Sequence, residues 1–148
     1  MSLDSAEIRV NFVNNNSLIH KIMETKKIYD LHEENKGWLN NLNFYKDEIK
    51  IMQSRISEIA SKNNGSEILK QVDHFQNQLI VQKNNIDELA HSIKDHENYL
   101  ENRVNENPTA VDHRKVNDHP KMRDSYDAFD KVFNDLRKEL NSFLSKAM

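Results

Sequence analysis

Cysteine is absent from this 148-residue chain. That removes disulfides, thiolate metal sites and cysteine nucleophiles at once, and it fits a reducing compartment. Glycine and proline occur twice each, too few for the turns of an all-β or loop-rich fold. No run of about 18 apolar residues exists, so no membrane span is expected. The segment from Met1 to Val10 lacks the apolar stretch of a signal peptide, and a cytoplasmic location is expected.

A positive field is lacking too. The net charge is −3. Residues 1–65 hold nine basic and nine acidic side chains, residues 105–148 hold eight of each, and residues 66–104 hold four against seven. With no basic excess anywhere, neither nucleic acid nor an anionic membrane is an expected partner. The chain has no phosphate-cradling loop, no glycine-framed serine and no dinucleotide fingerprint, so no catalytic activity is expected.

What the chain has instead is a 3-4-3-4 spacing of apolar residues, three times over. The first stripe runs from Ile28 through Trp38, Leu42, Ile49 and Ile56 to Ile59. The second runs from Ile68 through Phe75, Leu79, Ile86 and Ile93 to Leu100. The third runs from Met122 through Phe129, Phe133 and Leu140 to Ala147. This spacing puts each set on one face of a helix, and a sustained seven-residue period means helices packed at a shallow angle. The expected fold is all-α, an antiparallel bundle of three long helices with coiled-coil-like heptads.

Residues 1–16 read equally as strand or helix, because Ile8, Val10 and Phe12 alternate while Ile8 and Phe12 are also four apart. The Asn14-Asn15-Asn16-Ser17 run predicts a break, with helix 1 over 17–62. Asn63-Asn64-Gly65-Ser66 predicts a tight link, with Gly65 in the left-handed position, and then helix 2 over 66–104. Residues 105–118 read as a connector. Helix 3 is expected over 119–147, with Pro120 in its first turn.

At 1.5 Å per residue these helices span roughly 65, 57 and 42 Å. Helix 3 is then too short to cover the hairpin, and an end carrying Met52, Ile56, Ile59, Ile68 and Val72 is expected to lie bare. A homodimer is the simplest cover, completing four helices. Phe44 and Ile51, in a row with Gly37 beside the main stripe, read either as a widened core face or as a second contact surface, for a partner subunit or for the N-terminal segment.

Polar residues interrupt the stripes in two layers. Tyr45 is expected opposite Gln82 or Lys83. His32 is expected opposite His96, with Asn35 one turn away and Glu97 adjoining. A hydrogen-bonded layer that fixes register is the plainer reading. The alternative is a metal site on His32, His96 and Glu97, in the style of hemerythrin-like or ferritin-like bundles. Only one E-x-x-H unit is present, Glu88 to His91, and it lies off the stripe. Glu33-Glu34 reads as a solvated face, and His113 and His119 as solvated histidines of the connector. No cofactor is expected. The chain reads as a small interaction or structural protein.

Overall fold

The computed structural model describes residues 5–106 and 113–147, with side chains described outside positions 10, 12, 24, 103–106 and 113–117. Three helices make up the fold: α1 (Ser5–Lys62), α2 (Ser66–Glu106) and α3 (His113–Ala147). Each packs against the other two, and among the described residues there is no strand. No helix of the described residues is long and apolar enough to cross a membrane.

The link between α1 and α2 is closed by side chain and backbone together. Asn63 Nδ2 donates to the Ile59 carbonyl at 2.8 Å, satisfying one of the orphan acceptors at a helix end. The Leu69 amide donates to the Gly65 carbonyl at 3.1 Å, which opens α2. Gly65 does not take up the left-handed conformation, since no glycine has a positive φ; Asn63 does the capping instead. Lys62 stands in the last turn of α1 and Glu67 in the first turn of α2, each matched to its end of the helix dipole.

So short a link folds α1 and α2 into an antiparallel hairpin. Leu42, Ile49 and Ile56 of α1 and Val72, Leu79 and Ile86 of α2 are buried in one core, as the heptad stripes predict. A surface pair, Lys46 Nζ to Asp87 Oδ1 at 2.8 Å, also joins the two helices.

α3 runs parallel to α1. Its hydrogen bonds reach back a near-constant 85 or 89 residues: Asn41 to Tyr126, Tyr45 to Asp130, and Arg137 to Glu48. That offset carries α3 from the level of Ile28 to the level of Ile59. The Arg137 guanidinium grips the Glu48 carboxylate through two bonds of 2.8 Å and lies 5.1 Å from the centres of both the Tyr45 and Phe133 rings. Phe143 stacks on Phe75 at 5.2 Å, near the hairpin turn.

The expected bare end is therefore covered. Met52, Ile59 and Val72 are buried, Ile56 is 0% exposed, and Ile68 packs partly buried against them. Their lid is α3, not a second subunit. Two facts reverse the length estimate. α3 begins at His113 and passes through Pro120 rather than starting beside it. The apolar stripe of α1 also starts only at Ile28, so α3 has less to cover than the full helix.

What overhangs is the start of α1. The helix continues through the asparagine run back to Ser5, because helix propensity is a weak prior over a few residues. Among its side chains, Ile8, Ile19, Ile22 and Met23 are 54–65% exposed. They lie about 150° around the helix from the core stripe, at 3.6 residues per turn. Phe44 and Ile51 continue the same outer face and are also exposed.

Candidate functional site

The polar residues collect at the open end of the bundle, opposite the hairpin turn, in two groups. The first joins α1 to α2. His32 Nδ1 is hydrogen-bonded to Glu97 Oε1, and Asn35 Nδ2 donates to Glu97 Oε2 at 3.0 Å. Both oxygens of Glu97 are thus held. Asn35 is 0% exposed, and its Oδ1 has no partner, a situation that ordinarily costs about 1–3 kcal/mol. Glu101 lies one helical turn beyond Glu97 on the same face of α2. One ligand-type atom each from His32, Glu97 and Glu101 fall within 4.8 Å of one another. They open on a cleft of about 480 Å³ lined also by Thr25, Ile28, Tyr29 and Leu100.

The second group joins all three helices and holds the most buried of the described histidines. His119 is 1% exposed. Its ring stacks on Trp38 at 5.1 Å, and Trp38 stacks in turn on Tyr126 at 5.5 Å. His119 Nε2 is 3.1 Å from Glu34 Oε1, and its Nδ1 is 3.2 Å from His96 Nε2. A carboxylate only accepts, so His119 Nε2–H donates to Glu34. His119 Nδ1 then accepts from His96 Nε2–H. Both tautomers follow from the carboxylate at the end of the chain. Arg123 Nε closes the group with a bond of 2.6 Å to the same Glu34 oxygen.

Burial pushes the His119 pKa down, and the bond to Glu34 only partly offsets it. Burial alone would raise the Glu34 carboxyl. Bonds from Arg123 and then His119 outweigh that and hold it below the ordinary carboxylate range. Since His119 is neutral at pH 7, Arg123 is the positive charge that holds the Glu34 carboxyl low.

A pH dependence follows. The folded state disfavours protonated His119, so the unfolded chain binds more protons in the window below the ordinary histidine pKa of about 6.5. Stability is therefore full above that value and falls as the pH drops through it toward the lower folded pKa. Urea unfolding across this range is expected to show the fall, and His119→Leu is expected to flatten it. A profile equally steep in the variant would assign the effect elsewhere.

The sequence-derived candidates are thus partly regrouped. His32 and Glu97 do meet, with Asn35 beside them. His96 turns to His119 instead, and Glu101 takes its place in the group. Glu34 is half-buried and paired on both sides, not simply solvated. His119 is a core residue rather than a connector histidine. Its signal was present: one further step of three upstream of Met122 reaches it. Tyr45 does not bond Gln82; its hydroxyl donates to Asp130 Oδ1 at 2.6 Å. Burial, then Asp130, push that phenol up to about 12. Gln82 is buried beside Asn85, whose Nδ2 lies 3.5 Å from its Oε1.

Comparison of the chain with family models, with curated proteins and with solved structures returns no match. Fold and site define a class only: an all-α three-helix bundle with a polar open end.

Proposed function

We propose that the protein is a non-catalytic, cytoplasmic interaction module that self-associates through the outer face of α1. One observation carries this reading: Ile8, Ile19, Ile22 and Met23 stand exposed on a helical segment that extends past the bundle. Exposed apolar side chains gathered on one helix face support an association site. An isolated helical extension also gains most of its stability from packing its apolar face.

The occupant we assign is a second copy of the same segment, antiparallel to the first. Charge supports this choice. Residues 10–19 carry no charge, with Glu7 and Arg9 before them and Lys21 and Glu24 after. Antiparallel pairing brings Glu7 toward Lys21 of the partner subunit. Parallel pairing sets like against like, which is unfavourable. Asn15 then lies near the two-fold axis, where a polar residue in an apolar seam fixes register and partner number. Phe44 and Ile51 extend the interface along α1. Gly37, on the same face, has nothing within 4 Å of where a Cβ would stand, so nothing inside the chain requires a glycine there.

Sedimentation equilibrium of the full chain tests the reading. A dimer at tens of micromolar is expected for the unaltered protein. Ile19→Glu/Ile22→Glu is expected to give a monomer with unchanged circular dichroism, because both side chains are exposed within one chain. An unaltered protein that sediments as a monomer would remove self-association, and so would a double variant that still dimerises.

A further inference from the structure

We propose that His32, Glu97 and Glu101 form a binding site for a first-row divalent transition-metal ion at the open end of the bundle. The inference is independent of self-association, because all three ligands come from one chain. Facing helices supply them, which is how bundles build metal centres. Glu97 and Glu101 are one turn apart on α2, and His32 reaches them from α1. Their ligand atoms already lie within 4.8 Å of one another. Bonds of about 2.0–2.2 Å to an ion between them need only side-chain adjustments.

Three further features fit an ion. Asn35, fully buried, donates to Glu97 Oε2, the kind of outer hydrogen bond that orients a ligating carboxylate. Two carboxylates at this spacing repel each other, and a dication between them removes that cost. The cleft beside them has a buried floor, Ile28 and Leu100, and leaves room for water at the remaining coordination positions. One imidazole with two carboxylates suits zinc, manganese or iron. Calcium and magnesium prefer oxygen alone.

The test uses tag-free protein stripped with a chelator and titrated calorimetrically with zinc chloride at neutral pH, then with manganese chloride. One equivalent of zinc is expected to bind with a Kd below about 10 µM. Glu101→Gln, at an exposed position that leaves the fold intact, is expected to weaken binding at least tenfold, as is His32→Leu. His91→Ala is expected to change nothing. That residue pairs with Asp95 on the outer face and is the control for adventitious zinc. Absence of binding at this level would overturn the site. So would affinity untouched by Glu101→Gln, or affinity lost in His91→Ala. Manganese binding with the same response to Glu101→Gln would support the same site.

Discussion

Ile56→Asp is expected to unfold much of the protein rather than merely to split an assembly. Ile56 is fully enclosed within one chain, in a core that includes Val72, Leu140 and Phe143. An uncompensated charge buried there costs about 3–5 kcal/mol. Domains of this kind have only about 5–15 kcal/mol in total. A fall of about 10 °C or more in Tm is expected for a chain of this size. Ile56→Val, which removes one methyl group, should lose only about 1 kcal/mol. Thermal unfolding followed by circular dichroism separates the two origins. If Ile56 served only to contact a second subunit, the aspartate variant would keep its Tm and change only its mass.

That contrast turns on the placement of α3, which was the least legible part of the fold. The hairpin was readable because a four-residue link and two heptad stripes leave one register. α3 is attached through residues 107–112, which lie outside the described residues, and nothing in its own stripe fixes how far along the hairpin it slides. Its start was obscured by Pro120, which reads as a first-turn residue but sits inside the helix. The same misplacement hid His119, whose burial depends on the helix already running beneath Trp38.

The overhang was obscured for a different reason. Upstream of Ile28 the core stripe would pass through Lys21, Ser17 and Asn14, so the heptad stops while the helix runs on. Apolar residues resume on another face because α2 no longer lies beside that segment. A heptad reports where a partner packs, not where a helix ends. The polar layer was half legible. His32, Asn35 and Glu97 follow from the hairpin register, whereas Glu34, Arg123 and His119 need the register of α3.

Trp38→Ala is expected to damage both stability and the pH response of the open end. Trp38 is buried and lies against His119 on one side and Tyr126 on the other. Truncating a buried tryptophan leaves a cavity and costs about 3–5 kcal/mol. Here the cavity adjoins a histidine with two polar neighbours, so water can enter it. Hydration of His119 would relax the burial that depresses its pKa, bringing its folded and unfolded values together. The loss of stability on acidification should then shrink while overall stability falls. Trp38→Phe retains an aromatic face and is expected to lose less and to keep the acid-side slope. Urea unfolding at pH 5 and at pH 7 measures both quantities, with circular dichroism as the signal because Trp38 is the sole tryptophan. A Trp38→Ala protein that is weakened but keeps the full pH slope would mean that the Arg123 charge, not burial against the stacked ring, holds the His119 pKa down.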